Sequence, residues 1–143
     1  IAPADHPWCS RDFIEPEELL DTDFILREQA SGTQITVRKG LKELRVSESD
    51  LDTLLILGNS EAIALAVQEG LGVGFVSSMV VSKLVLDGVN VVKVRGLKLE
   101  RSIRFARNTR RPPTKAQAVF WEFATRDALP AAKTPPVVEL VAT

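Results

Sequence analysis

The stretch Leu54–Val76, LLILGNSEAIALAVQEGLGVGFV, decides the fold class of this chain. It begins with an apolar, strand-like run and passes through the polar turn Gly58-Asn59-Ser60 into a helical pattern over Glu61–Glu69. Gly70 stands where a left-handed glycine commonly ends a helix, and Val73–Val76 is a second strand-like run. The segment therefore predicts a strand, a helix and a strand with short connections, which is a βαβ unit.

The same order of elements occurs upstream of this segment and continues downstream of it. A β-prone run at Phe24–Leu26 precedes the polar turn Ser31-Gly32-Thr33, and a helix follows that turn. The apolar positions of this helix recur at helical spacing, at Val37, Leu41 and Leu44. Farther along, the pattern predicts a helix to about Asp87 and a strand at Val89–Val94. This alternation predicts an α/β fold, with a mostly parallel sheet flanked by helices.

Composition and charge exclude several classes of protein. The chain has 143 residues and 45% hydrophobic content, which suits a folded domain and excludes a disordered chain. Its 18 basic and 19 acidic residues give a net charge of -1, which argues against a dedicated nucleic-acid surface. One cysteine excludes an internal disulfide, and with one histidine it falls short of a zinc ligand set. No apolar run reaches the roughly 18 residues of a membrane span.

Both ends of the chain depart from the alternating pattern. The first residues, from Ile1 to Pro16, are polar and rich in proline, and they lack an initiator methionine, so we expect a piece cut from a longer protein. Past Gly96, a strand at Ser102–Arg107 precedes a capping box at Thr114–Gln117 and a helix. Four apolar side chains of this region, Phe105, Val119, Phe120 and Phe123, have no partner sheet. We therefore expect dimerisation, or a rearranged packing of residues 97–143, to cover them.

The two strand-to-helix turns are the candidate binding sites. Ser31, Gly32 and Thr33 form one, and Asn59 and Ser60 form the other. Hydroxyls and free backbone N–H groups at a helix N-terminus can hold a carboxylate, sulfate or phosphate without a formal positive charge. Such turns lie at the carboxyl ends of strands, where α/β sheets bind ligands. The alternative is that these side chains merely cap the helices, and the sequence leaves both interpretations open.

Other candidate sites have simpler explanations. The glycines of Gly70–Gly74 follow a helix and precede a strand, which is the reverse of a dinucleotide-binding motif. His6 has no evident carboxylate or serine partner, and Cys9 has no basic neighbour that would activate its thiol. The acidic clusters near Glu17 and Asp50 fall in polar turns or helix starts. We therefore predict no catalytic residue, no metal site and no cofactor.

An ordered set of motifs resembles the effector-binding domain of LysR-type transcriptional regulators over roughly residues 1–126. The set comprises Asp5-His6-Pro7, Phe24-Ile25-Leu26-Arg27-Glu28, Ser31-Gly32-Thr33, Asn59-Ser60-Glu61-Ala62-Ile63, Val67, Gly70-Leu71-Gly72-Val73-Gly74 and Ser77, followed by the helix with Phe120 and Phe123. The resemblance implies two α/β lobes like those of a type II periplasmic binding protein. Residues 21–96 would form the second lobe, residues 1–20 and 97–129 an incomplete piece of the first lobe, and residues 130–143 a loosely ordered tail.

The resemblance also implies a function. A small-molecule effector would bind in the cleft between the lobes, against the turns at 31–33 and 59–60, and so control DNA binding by a winged helix-turn-helix upstream of this chain. The small polar residues favour a small anion or carboxylate. The parent protein would be a cytoplasmic homo-oligomer with no membrane contact. Two alternatives stay open: a lobe of a periplasmic solute-binding protein, and an enzyme on the same fold whose catalytic groups lie elsewhere.

Overall fold

The computed structural model describes residues 1–84, 87–102, 107–108 and 110–126. The chain divides into two compact units, Ile1–Arg101 and Ser102–Thr143. Most of the predicted strand at 102–107, including Phe105, and the tail at 130–143 lie outside the described residues.

Helices and strands alternate through the first unit, which confirms the predicted α/β class. The strands are β1 (Ala2–Pro3), β2 (Asp23–Arg27), β3 (Asp52–Leu57), β4 (Val73–Gly74) and β5 (Val89–Asn90). The α-helices are α1 (Gly32–Glu43), α2 (Ser60–Gln68), α3 (Ser78–Val81) and, in the second unit, α4 (Lys115–Arg126). Short 3-10 helices occur at Pro7–Ser10, Pro16–Asp21 and Glu48–Asp50. The helix expected to reach Asp87 ends at Val81, and the strand expected to reach Val94 ends at Asn90.

The central sheet is parallel, as predicted. It has the order β3-β2-β4, and β2 pairs in parallel with both neighbours. Ile1, just before β1, and Gly74 of β4 exchange two backbone hydrogen bonds of 2.8 and 3.0 Å, so the first residue of the chain lies beside the sheet. β1 and β5 form a separate two-stranded sheet. β5 pairs antiparallel with β1. The parallel strands therefore end at one common edge, and the strand-to-helix turns emerge there.

The middle strand β2 is buried on both faces because α1 and α2 cover opposite sides of it. Phe24 and Leu26 point to the cluster that contains Val37 and Leu41 of α1. Ile25 points the other way, to Ile63 and Val67 of α2. Successive side chains of a strand alternate between faces, so three consecutive apolar residues need cover on both sides.

Glycines fix the fit of α2 against the sheet. A Cβ on Gly74 would lie 2.5 Å from Cγ2 of Ile63, so only glycine allows α2 to pack this closely on β4. Gly70 adopts a φ of 76°, which confirms the predicted left-handed residue just after α2. These two positions make the short connection from α2 to β4 possible.

The strand β3 is an edge strand with exposed apolar side chains. Leu54, Leu55 and Ile56 retain 48%, 39% and 63% of their accessible surface. Its sequence is as apolar as that of β2, but neither α1 nor α2 extends over it fully. Position in the sheet, rather than composition, therefore decides whether an apolar strand is buried.

Residues 1–20 pack with residues 21–96 in the same compact unit. Trp8, Ile14 and Leu19 are buried members of the core cluster shared with α1 and β2. The Ile14 N–H donates to the Lys93 carbonyl at 2.9 Å, and the Arg95 N–H donates to the Ile14 carbonyl at 2.8 Å. The division of these residues between two lobes of a longer protein stays a prediction.

The second unit contains the predicted capping box and apolar helix stripe. The Thr114 N–H donates to Gln117 Oε1 at 2.9 Å, and the Gln117 N–H donates to Thr114 Oγ1 at 3.3 Å. In the helix α4 that follows, Val119, Phe120 and Phe123 are more than half exposed. The expected cover for this stripe stays a prediction.

Candidate functional site

The two predicted turns lie side by side at the carboxyl edge of the parallel sheet. Arg27, the last residue of β2, is paired with Leu57, the last residue of β3. The chain then enters α1 through Ser31 and α2 through Asn59. All five predicted site residues therefore lie at one edge, where parallel sheets place their ligands.

In the first turn, the Ser31 side chain does not cap α1. Ser31 occupies the N-cap position, but its hydroxyl forms no hydrogen bond with the helix. Its backbone does hold the turn: its N–H donates to the Glu28 carbonyl, and its carbonyl accepts from the Ile35 N–H, both at 2.9 Å. The residue is only 7% exposed. The capping alternative is therefore wrong for Ser31.

Thr33, in the first turn of α1, faces a cation. Arg101 donates from Nη1 to Thr33 Oγ1 at 3.2 Å. A Cβ on Gly32 would lie 3.2 Å from the same Nη1 atom, so glycine leaves room for the guanidinium. An arginine therefore lies over the start of α1, so this turn has a positive charge beside it that the sequence did not indicate. Anion binding at the turn stays a prediction.

In the second turn, Asn59 caps α2 and Ser60 is held from the side. Asn59 Oδ1 accepts from the Ala62 N–H at 2.6 Å, as the capping alternative predicts. Ser60 Oγ instead accepts from Arg27 Nη1 at 3.1 Å, and the residue is 7% exposed. The side-chain oxygen of Asn59 already has a donor, while Ser60 belongs to a polar network centred on Arg27.

Arg27 connects the carboxyl end of β2 with the second turn. Its Nε and Nη2 donate to the two carboxylate oxygens of Glu28 at 2.8 Å each, and Nη2 also donates to the Gly58 carbonyl at 3.0 Å. These hydrogen bonds lower the pKa of Glu28 and raise the pKa of Arg27, so the pair stays charged. The Arg27 side chain is 16% exposed. Glu28 therefore neutralises much of the positive charge at this edge.

Gln34, near the start of α1, carries an unusual buried amide. The residue is 1% exposed, and its Oε1 accepts from the Arg27 N–H at 3.1 Å. Its Nε2 is buried and has no hydrogen-bond partner in the part of the chain that the structure describes. The buried polar residues of the described ranges are Ser31, Gln34 and Ser60. All three lie at this edge, and buried polar groups are costly unless they are paired.

Sequence reasoning missed Arg27, Gln34 and Arg101 as site residues. Arg27 was detectable in principle, because it directly follows the apolar residues of β2 and so ends a strand. Gln34 sits one residue beyond the predicted turn, where nothing in the sequence distinguishes it from a solvent-facing amide. Arg101 lies 68 residues from Thr33, so only the folded chain brings the two together.

The remaining candidates behave as structural residues. His6 accepts from the Trp8 N–H through Nδ1 at 3.3 Å, and burial lowers the pKa of its imidazole. Cys9 donates from its thiol to the Pro3 carbonyl at 3.2 Å. Within the described residues there is no cluster of three or more potential metal ligands. No helix among those residues is long and apolar enough to cross a bilayer.

A cavity of about 590 Å³ lies elsewhere in the first unit. Its walls are mostly apolar and include Trp8, Phe24 and Phe75. None of the five predicted site residues lines it. The polar edge and the apolar cavity are therefore separate features of residues 1–101.

Comparison with known proteins identifies the family. The model of the LysR substrate binding domain matches residues 1–128, and the chain belongs to this family. It is 33% identical over 127 residues to an HTH-type transcriptional regulator of Methanocaldococcus jannaschii, covering 88% of this chain and 43% of that protein. It is also 33% identical over 138 residues to a probable RuBisCO transcriptional regulator of Nostoc, covering 89% of this chain and 40% of the relative. The chain thus spans about two fifths of the length of these curated relatives.

Solved structures confirm the fold. The regulatory domain of Synechocystis CcmR, determined in complex with 2-PG, superposes with a TM-score of 0.64 at 23% identity. The match covers 85% of this chain and 58% of that one. The effector binding domain of QuiR, in complex with shikimate, gives a TM-score of 0.66 at 17% identity, with 87% and 57% coverage. The predicted fold of a LysR effector-binding domain is therefore confirmed.

Proposed function

We propose that this chain is the effector-sensing part of a LysR-type transcriptional regulator and that its effector is a small anion or carboxylate. The observation that carries the proposal is the polar edge of the sheet, where the turns at 31–33 and 59–60 lie together with Arg27 and Arg101. Buried hydroxyls and a helix start beneath an arginine are groups that bind carboxylates and phosphates.

The relatives support the choice of probes. The ligand named for the CcmR domain is 2-PG, and the ligand named for the QuiR domain is shikimate. Shikimate is a small carboxylate, which is the chemical class that we propose for the effector of this chain. The hydroxyl groups and arginines at the site of this chain are suited to binding a carboxylate or a phosphate.

The remaining partners belong to the longer protein. We place DNA binding in a segment outside this chain, in agreement with its net charge of -1 and with the HTH-type names of its relatives. The exposed stripe on α4, at Val119, Phe120 and Phe123, supports assembly into a homo-oligomer. A regulator that acts on transcription works where the DNA is, which supports a cytoplasmic location. The relatives' role as regulators favours ligand sensing over catalysis.

The test is calorimetric titration of the chain with 2-PG, shikimate and inorganic phosphate. Thr33→Val removes one hydroxyl from the site while preserving shape, and we expect affinity for the bound probe to fall about three- to tenfold, the value of one hydrogen bond. Thr53→Val, at the opposite end of β3, is the matched control and should leave affinity unchanged. Equal affinity for wild type and Thr33→Val, or equal loss in both variants, would contradict the proposed site.

A further inference from the structure

Arg27 contacts the second candidate turn and also Gln34, the residue that follows the first candidate turn. Its side chain reaches the second turn, where Nη1 donates to Ser60 Oγ at 3.1 Å and Nη2 donates to the Gly58 carbonyl at 3.0 Å. Its backbone N–H reaches the start of α1, where it donates to Gln34 Oε1 at 3.1 Å. A single residue therefore contacts both the second turn and Gln34 of α1.

The guanidinium of Arg27 has a fixed orientation. Its bidentate pair with Glu28 defines the plane of the group, since both hydrogen bonds measure 2.8 Å. The side chain is 16% exposed, so its rotation is restricted by the surrounding protein. The carbonyl of Gly58 and the hydroxyl of Ser60 are held by this oriented plane, and lysine cannot reproduce that planar set of donors.

The contact with α1 is equally constrained. Gln34 is 1% exposed, and its amide oxygen is committed to the Arg27 N–H. Loss of this hydrogen bond would leave the Arg27 N–H and the buried Gln34 Oε1 without partners, which is unfavourable away from water. A displacement of the guanidinium that shifts the Arg27 backbone would therefore also move the side chain of Gln34, which belongs to the first turn of α1.

We propose that Arg27 is a positioning residue that couples the second turn to Gln34 of α1, so that a displacement at Ser60 is transmitted through the Arg27 side chain and backbone to the start of α1. An effector that touches the second turn would thereby change the geometry at the start of α1. This regulatory role rests on the proposed function, but the coupling itself is a property of the chain without effector. Nothing in the coupling requires Arg27 to contact the effector.

The coupling is tested by NMR on the isotope-labelled chain with no effector added. Ser60→Ala removes the acceptor of Arg27 Nη1 and serves as the perturbation. We expect it to shift the backbone amide signals of Thr33 and Ile35 and the side-chain amide signals of Gln34. In an Arg27→Met background, the same Ser60→Ala change should produce none of these shifts at the start of α1.

Arg38→Met is the matched control, because Arg38 makes a bidentate pair with Glu48 at 2.9 and 3.3 Å but does not touch either turn in the described contacts. In the Arg38→Met background, Ser60→Ala should still shift the amide signals of Thr33, Ile35 and Gln34. If the spectrum of Arg27→Met shows that the variant does not fold, Arg27→Lys is used instead. In that background too, Ser60→Ala should cause no shifts at the start of α1. Shifts of equal size in the wild-type and Arg27 variant backgrounds would overturn the proposal. Because no effector is present, a failure to bind any probe leaves this result unaffected.

Discussion

The helices α1 and α2 begin at equivalent points of the fold, yet they are held in different ways. Each follows a parallel strand and starts with a small polar residue at the N-cap, Ser31 for α1 and Asn59 for α2. Asn59 satisfies its own helix at 2.6 Å, whereas the Ser31 hydroxyl makes no capping bond. The start of α1 instead depends on residues outside the helix. Gln34 accepts a hydrogen bond from the Arg27 N–H, and Thr33 accepts one from Arg101.

This difference separates a locally stabilised helix start from one that tertiary contacts hold. A locally capped start keeps its capping hydrogen bond when neighbouring elements move, although Ser60 of α2 also has a contact with Arg27. A start held by side chains from other elements changes when those elements move. We therefore expect the start of α1 to depend more strongly on neighbouring elements than the start of α2 does.

The largest expected effect comes from the fourth residue of each helix. Ile63 of α2 is fully buried, whereas Ile35 of α1 is 41% exposed. Ile63→Ala should lower the free energy of unfolding by about 2–5 kcal/mol, because it leaves a cavity against β2. Ile35→Ala should lower it by about 1 kcal/mol or less. Urea denaturation of both variants measures the difference, and comparable losses would show that the two helices pack alike.

The next effect comes from the caps themselves. Asn59→Ala should destabilise the chain by about 1 kcal/mol, since it leaves the Ala62 N–H without its acceptor. Ser31→Ala should change stability by no more than about 0.5 kcal/mol, because no capping bond is lost. Asn59→Asp keeps an acceptor and serves as the control. A larger loss for Ser31→Ala than for Asn59→Ala in thermal unfolding would reverse the comparison.

The smallest effect concerns a cap that titrates. His6 Nδ1 accepts from the Trp8 N–H, and burial lowers the pKa of the folded imidazole below its ordinary value of 6.5. The unfolded chain therefore takes up a proton more readily, so the contribution of His6 is complete above about pH 6.5 and declines as the pH falls toward the lowered pKa.

His6→Asn keeps an acceptor that does not titrate. Between about pH 7.5 and pH 5, we expect unfolding stability to fall more steeply in the wild type than in His6→Asn. Other groups titrate equally in both proteins, so the difference between the two curves isolates His6. If stability falls equally with pH in both proteins, protonation of His6 does not weaken its cap.

Much of the fold could be predicted because its signals are local. The alternation of apolar runs with polar turns located β2, β3, α1 and α2, and Gly70 marked the end of α2. The capping box at Thr114–Gln117 is also local, since its two hydrogen bonds span three residues. The exposure of β3 was not predictable in this way, because its composition matches that of a buried strand and only its place at the edge of the sheet differs.

The candidate site was predicted only in part, for a related reason. Its small polar residues follow directly from the strand-to-helix pattern, so Ser31, Thr33 and Ser60 could be named. The arginines that surround these residues could not be identified as site residues from the sequence. Arg101 reaches Thr33 across 68 residues, and Arg27 reaches Ser60 across 33. Contacts of that separation leave no periodicity or motif in a single sequence.

The sequence by itself determined the class of fold, the family and the edge of the sheet where the candidate site lies. These three features depend on hydrophobic periodicity, turn residues and helix caps. Such signals extend over only a few residues, so they can be identified from the sequence. Only the tertiary structure decided that Arg27 contacts both Ser60 and Gln34, that Gln34 is buried and that Arg101 lies over the start of α1. Those features depend on which elements become neighbours when the apolar faces of β2, α1 and α2 are buried together, and that arrangement exists only in the folded chain.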